Sequence, residues 1–217
     1  MNWFEFKMKP WPRKMRKLDS KVLVIATHNK DKLSEFEGIL HPHGVKTRFA
    51  GDFNLEFPPE TEETFVGNAR IKAHFVARET QLPAIADDSG IMVSDLDNQP
   101  GVKTADWAET PDGRDYKKAM TKVWKLLEEK QSPLPRKAKF CSTICVAWPD
   151  GHDEIFEGFV NGQIVWPMRG EIGFGFDPIF MPDGYKITFG EMYKADKNLI
   201  SHRALSLKAF AENCLDA

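Results

Sequence analysis

Val22-Leu23-Val24-Ile25-Ala26, running directly into Thr27-His28-Asn29-Lys30-Asp31-Lys32, is the stretch whose reading decides the fold class. Its first five residues are unbroken apolar, which marks a buried strand. Leu33, Phe36 and Leu40 then recur at helical spacing. Strand, short loop and helix in that order are the building unit of an α/β protein. The joining loop brings backbone N–H groups, a helix N-terminus, small polar side chains and Lys32 together, which suits an anion such as a phosphate. Thr and Asn also cap helices without any ligand, so both readings stand at this point. The loop is not a Walker A loop, because G-x-x-x-x-G-K-[ST] is absent.

Outward from this unit, Val45 to Ala50 reads as a second strand, followed by an acidic, Pro-marked loop at Pro58-Pro59-Glu60-Thr61. Phe65, Ala69, Ala73 and Val76 define a helix to about residue 79, with Lys72 at one edge of its apolar stripe. Ala84-Ile85-Ala86 is then a short buried strand, Ser89-Gly90 the turn expected to end it, and Asp87-Asp88 a pair of carboxylates between them. A strand end is where α/β proteins place ligands, and the pleat sends adjacent side chains to opposite faces. Only one of the two acids therefore faces any single ligand. The competing reading is a solvated Asx turn.

Further on, Tyr116, Ala119-Met120, Val123-Trp124 and Leu127 make an amphipathic helix with Trp and Met in its core face. Ala138 to Trp148 and Glu154 to Val160 form an antiparallel hairpin around Pro149-Asp150-Gly151. Gly173-Phe174-Gly175-Phe176-Asp177-Pro178 brings backbone close to a flat ligand with an exposed Phe to stack on it, or else forms a sheet corner with both rings in the core. It is not a dinucleotide fingerprint, since Pro178 stands at the third glycine position. Ser201 caps a last helix to about Asn213, and Lys197, His202 and Arg203 gather cationic and donor groups at its start. No G-x-S-x-G elbow accompanies Ser201 and His202.

The 217-residue chain, 41% hydrophobic, suits one domain with a full core. No apolar run approaches the ~20 residues of a membrane span, and the first residues lack the apolar segment of a secretory signal. The net charge of −2 hides an asymmetry. Residues 1–21 carry seven Lys/Arg against Glu5 and Asp19, or +5, leaving −7 for the rest. So acidic a body is a poor match for bulk phosphate neutralisation on nucleic acid. Residues 1–21 are expected to be a disordered tail or to reflect an upstream start codon, with Met8 and Met15 as alternative starts, the competing reading being a basic aromatic segment that touches a membrane, and residues 22–217 are expected to be one domain. Cys141 and Cys145 lie four residues apart on one strand face, ~13 Å from each other, so they do not pair while extended. With Cys214 the count is odd, and structural thiols in a reducing cytoplasm are expected.

Five segments in order then carry a resemblance. They are Thr27-x-Asn29-x-x-Lys32; Glu60-Thr61 with Thr64-Phe65-x-x-Asn68-Ala69-x-x-Lys72-Ala73; Asp87-Asp88-Ser89-Gly90; Phe174-Gly175-Phe176-Asp177-Pro178; and Lys197-x-x-x-Ser201-His202-Arg203. Together they span residues 22 to about 213, and the chain resembles the inosine triphosphate pyrophosphatase family, hydrolases of non-standard purine nucleoside triphosphates. The resemblance implies an elongated mixed β-sheet with flanking helices, two lobes around a nucleotide cleft, and a homodimer. It implies hydrolysis of XTP, ITP and dITP to the monophosphate and pyrophosphate, with Mg²⁺ as cofactor. It makes Asp88 the general base and a metal ligand, and Glu60 the second metal carboxylate. Thr27, His28, Asn29, Lys30, Asp31, Lys32 and Lys72 would serve the triphosphate, Ser89 would touch the nucleotide, and Phe174 would stack on the purine. Gly175, Phe176, Asp177, Lys197, His202 and Arg203 would line the base and sugar end.

Three positions depart from the family's usual pattern: Glu62 in place of a glycine, Phe176 in place of a tyrosine, and Lys103-Thr104-Ala105-Asp106 in place of a loop often reading aromatic-Ser-Ala-Arg. The last exchange inverts a charge. The alternatives are a pyrophosphatase of pyrimidine or modified nucleotides, separated by a substrate panel, and a non-enzymatic nucleotide or RNA sensor, separated by metal-dependent turnover.

Overall fold

The structure is a computed structural model that describes residues 15–27 and 30–215. The strand and helix read at the start of the chain are β1 (Val22–Ile25) and α1 (Lys30–Leu40), and β2 (Lys46–Phe49) returns parallel to β1. Next come α2 (Phe65–Thr80), β3 (Ala84–Val93), the two-residue strands β4 (Glu109–Thr110) and β5 (Gly113–Arg114), and α3 (Tyr116–Glu129). The hairpin β6 (Arg136–Ala147) and β7 (Asp153–Ile164), then β8 (Phe180–Pro182), α4 (Lys194–Ile200) and α5 (His202–Cys214) complete the order. Six strands form one sheet in the order β2-β1-β3-β6-β7-β8. β1 is parallel to both its neighbours, and every pairing from β3 to β8 is antiparallel. The expected mixed α/β sheet with flanking helices is what the chain forms.

Strand alternation sorts the core of the first half. Leu23, Ile25 and Ile85 point to the side of Phe36 and Leu40 of α1 and Leu207 and Phe210 of α5. Val24, Ala26, Ala84 and Ala86 point to the other side, against Ala69, Ala73, Val76 and Ala77 of α2. That second interface is built largely of alanines, so α2 lies close on the sheet. The far halves of β3 and β6 carry a separate core, with Ile91, Val93 and Phe140 under Met120, Val123 and Leu127 of α3 and against Phe176, Phe180 and Phe189. At ~3.3 Å per residue, the 12-residue strands β6 and β7 run ~40 Å and thread both halves, which makes two lobes on one sheet.

Two expectations change. β3 does not stop at Ala86. It continues through Asp87, Asp88, Ser89 and Gly90 to Val93, paired with β6 along its whole length. Gly90 serves close approach here, not a turn. A Cβ there would lie 2.4 Å from both the Gly101 carbonyl oxygen and Thr104 Oγ1, and Thr104 Oγ1 accepts the Ile91 N–H at 3.0 Å. The tail expected over residues 1–21 also ends earlier within the described part. Leu18 N–H donates to the Cys214 carbonyl at 2.8 Å, Arg16 N–H to Glu154 Oε1 at 3.0 Å, and Met15 and Leu18 pack on the core beside α5. The tail expectation for residues 1–14 lies outside the described residues. Among the described residues no helix is long and apolar enough to cross a membrane.

Candidate active site

The cavity lies where the two lobes meet, at the middle of β3, and measures about 470 Å³. Its walls include Thr27, Lys32, Glu60, Lys72, Asp88, Ser89, Phe174, Gly175, Phe176, Asp177, Lys197, His202 and Arg203. The structure thus brings together side chains from all five sequence segments. His28 and Asn29, and the side chains of Lys30 and Asp31 in the first turn of α1, lie outside the described residues.

The pleat divides the acid pair as the sequence reading requires. Asp87 shares the face of Ile85 and meets α1 and α5. Its Oδ1 stands 2.9 Å from Lys32 Nζ, and its Oδ2 accepts from Arg203 Nε at 3.2 Å. Burial alone would raise its carboxyl, but Lys32, Arg203 and Lys72 outweigh that and hold it well below the ordinary carboxylate range. Asp88 shares the face of Ala86 and meets α2. Burial pushes its carboxyl up to about 6, with Glu60 adding to the rise and Lys72, Lys32 and the Asn68 amide opposing it. Asp88 Oδ1 accepts the Ser89 N–H at 3.0 Å, while Oδ2 is buried with no hydrogen-bond partner among the described residues.

Lys72, at the edge of the α2 stripe, is carried into the cavity by the close alanine packing of that helix. Its Nζ donates to Glu60 Oε1 and to the Asp87 carbonyl, both at 2.7 Å. Glu60 and Asp88 therefore offer two hard oxygen donors on the same side, one with an open, buried oxygen. That set fits a hard divalent cation. Burial lowers the Lys32 amine, and Asp87 opposes that shift.

At the other end, Asp177 Oδ2 caps the Phe174 N–H at 2.9 Å and takes a 2.5 Å ion pair from Lys197, whose Nζ lies 5.2 Å from the Phe174 ring centre. Gly173 makes this possible. Its φ is +87°, and a Cβ there would come within 2.2 Å of Asp177 Oδ2. Phe174 is half-buried on the cavity wall. The Phe176 ring is 1% exposed and packs edge-on to Tyr116, so it is first a core residue forming the floor. His202 stacks on Phe140 at 4.7 Å and 9°, and burial, then the Arg203 and Lys197 charges, push its pKa well below the usual value. The imidazole is neutral at pH 7.

Arg203 lines the cavity, but its nitrogens already serve protein acceptors. Nε donates to Asp87, Nη1 to Glu35, and Nη2 to Ser89 Oγ at 3.1 Å. The arginine is a clamp among α1, β3 and α5. Sequence reasoning missed Glu35, one helical turn from Lys32, and gave no role to Asn68, one turn from Lys72, although it stands in the second motif. The i, i+3 and i, i+4 spacings were the available signals. It also left Thr104 unassigned. Thr104 is a buried fastener, donating to the Gly101 carbonyl at 2.5 Å, while Asp106 is exposed at the cavity rim.

The chain is thus a mixed α/β sheet with a mid-strand cleft that sets two carboxylates and two lysines at one end and an aromatic at the other. The chain belongs to the Ham1 family, whose sequence profile matches residues 23–213. It is 56% identical over 199 residues to the dITP/XTP pyrophosphatase of Ruegeria pomeroyi, covering 92% of this chain and 98% of that protein. It is 49% identical over 214 residues to the dITP/XTP pyrophosphatase of Agrobacterium fabrum, covering 94% and 100%. Among solved structures, the HAM1 protein from Coxiella burnetii superposes with a TM-score of 0.82 at 33% identity, over 88% of this chain and 96% of that one.

Proposed function

We infer that this protein is a nucleoside triphosphate pyrophosphatase that hydrolyses dITP, XTP and ITP to the monophosphate and pyrophosphate. The observation that carries the reading is the open, buried Oδ2 of Asp88 beside Glu60, with Lys32 and Lys72 on the same cavity wall, in a chain 56% identical to a dITP/XTP pyrophosphatase. Water attacks the α-phosphorus, the bond to the bridging oxygen breaks, and pyrophosphate leaves. Asp88 accepts the proton of the attacking water. Lys72 and Lys32 exchange part of their present contacts with Glu60 and Asp87 for oxygens of the leaving pyrophosphate. Asp87, held ionised by Lys32 and Arg203, keeps those cations in place.

Glu60 and Asp88 are the residues that would hold Mg²⁺, which supplies charge neutralisation on the phosphates and a more acidic water. Phe174 offers a face for the purine, and Ser89, Lys197 and His202 line the sugar and base end. The test is a panel of XTP, ITP, dITP, GTP and ATP with products identified by phosphorus NMR, with and without Mg²⁺. Monophosphate and pyrophosphate from the 6-oxo substrates, lost on chelation, is the expected result. Orthophosphate with a diphosphate would refute the reaction. Nucleotide binding without turnover would make the protein a sensor.

A further inference from the structure

Beyond the carboxylates and lysines, one buried side chain touches both halves of the cation-binding end. Asn68 is 2% exposed on α2, one turn before Lys72, so the two side chains project from the same helix face. Each meets the Glu60 segment: Lys72 through Glu60 Oε1 at 2.7 Å, Asn68 through its Oδ1, which accepts the Glu62 N–H at 2.9 Å. Each also bears on β3: Lys72 donates to the Asp87 carbonyl at 2.7 Å, and the Asn68 amide favours the ionised form of the Asp88 carboxyl. The Glu62 contact fixes the amide's orientation. With Oδ1 taken by a backbone N–H, the NH₂ is the half left for Asp88.

The Pro-marked loop between β2 and α2 has no helix or strand from Asn54 to Thr64, and Glu60 itself is exposed. Among the described residues no backbone–backbone hydrogen bond of Leu55 to Glu63 sets where Glu60 stands relative to Asp88. Two side chains one helical turn apart do so instead. Lys72 is also needed for phosphate, which leaves Asn68 as the member free to act on position alone.

We propose that Asn68 is a positioning residue for the cation site, stapling the Glu60–Glu62 segment to Asp88 so that the two carboxylates converge on one ion. The inference rests on the pyrophosphatase reading for the identity of that site. Partners behind metal ligands typically contribute 10–100-fold in metal affinity when removed.

The probe is Mn²⁺ alone, titrated by calorimetry into nucleotide-free protein, alongside thermal melting and the Mg²⁺ dependence of ITP hydrolysis. Asn68→Ala is expected to weaken Mn²⁺ about 10-fold or more and to raise the Mg²⁺ needed for half-maximal rate, with much of kcat recovered at high Mg²⁺. A lowered melting temperature with unchanged Mn²⁺ affinity would overturn the proposal and leave Asn68 a purely structural residue. Asn68→Asp is nearly isosteric and keeps the acceptor for Glu62 N–H while replacing the donor that faces Asp88. Its turnover at saturating Mg²⁺ is expected to fall about 10-fold or more, and wild-type turnover would overturn the Asp88 half of the staple. Failure of the wild-type protein itself to bind Mn²⁺ or hydrolyse ITP would instead sink the functional reading, so the two failures are distinct.

Discussion

Asp87 and Asp88 are the same side chain one residue apart, and the pleat alone gives them opposite electrostatics. Asp87 is turned to Lys32 and Arg203 and stays ionised; Asp88 is turned to the α2 side, where burial and Glu60 make it reluctant to ionise without a cation. Asp88→Asn is expected to keep the fold and lose at least ~10²-fold in turnover, since a positioned base contributes 10²–10⁴. The same variant carries a pH signature in metal-free protein. An acid whose pKa is about 6 when folded and 3.8 when free binds more protons in the folded state, so wild-type stability falls as pH rises from about 4 to about 6. Asparagine has no such loss. In the presence of chelator, Asp88→Asn is therefore expected to be more stable than wild type at pH 8 by up to about 3 kcal/mol, with the gain shrinking toward pH 4.5. Denaturant unfolding at the two pH values checks this, and an equal difference at both would mean burial does not raise Asp88. Arg203→Ala tests the other acid. It strips Glu35 and half of Asp87 of their cation and is expected to cost about 3–5 kcal/mol, because Asp87 stays buried and Glu35 largely so. Arg203→Lys restores only part, since one amine does not reproduce a fork serving three acceptors.

At the scale of elements, β3 shows where local sequence misleads. Asp-Asp-Ser-Gly is turn chemistry by composition, and taken alone it ends the strand at Ala86. Three cations from α1, α2 and α5 neutralise the first acid, and β6 pairs with the strand throughout, so tertiary context overrides propensity and the strand runs to Val93. The other elements were legible because their apolar periods are long: the α2 and α3 stripes, the unbroken β1, and the β6–β7 hairpin with its Pro-Asp-Gly turn. α4 was not, since Lys194–Ile200 is only seven residues long, carries charge at three of them and has little apolar period. Gly90→Ala tests whether β3 needs glycine for closeness. Its Cβ would meet backbone oxygen and Thr104 Oγ1 at 2.4 Å, and neither is the far end of a flexible chain. A loss of about 2–4 kcal/mol by denaturant unfolding is expected, in the range of overpacking and broken buried hydrogen bonds. A melting curve like wild type would return Gly90 to a turn role.

Over the whole molecule, the site exists because two separately packed halves share β3, β6 and β7, and the cavity falls on the seam between their cores. The residue types of the site were readable from five short motifs, but their partners were not. Glu35 and Arg203 are 168 positions apart, and no spacing rule announces that contact. The N-terminal segment is the other long-range feature the sequence hid, because its basic residues resemble a solvated tail until Met15 and Leu18 are placed beside α5. Truncation separates the two parts of that segment. Removing residues 1–14 leaves all the described contacts of Met15 to Leu18 intact, and melting temperature and turnover are expected to stay near wild type. Removing residues 1–18 deletes the Leu18 to Cys214 backbone bond, the Lys17 Nζ contact with the Leu215 carbonyl at 2.9 Å, and two apolar side chains on the α5 core. At about 1 kcal/mol for a hydrogen bond and 1.5–3 kcal/mol for a fully buried large apolar side chain, the loss for these half-buried groups is about 2–3 kcal/mol, or a drop of several degrees in melting temperature. Because none of the described residues before Ala26 lines the cavity, kcat and KM for ITP at 25 °C are expected to change little. A shorter chain that melts like wild type would show that Met15 to Leu18 lie on the body without stabilising it, and a large loss of turnover at unchanged stability would tie this strap to the site instead.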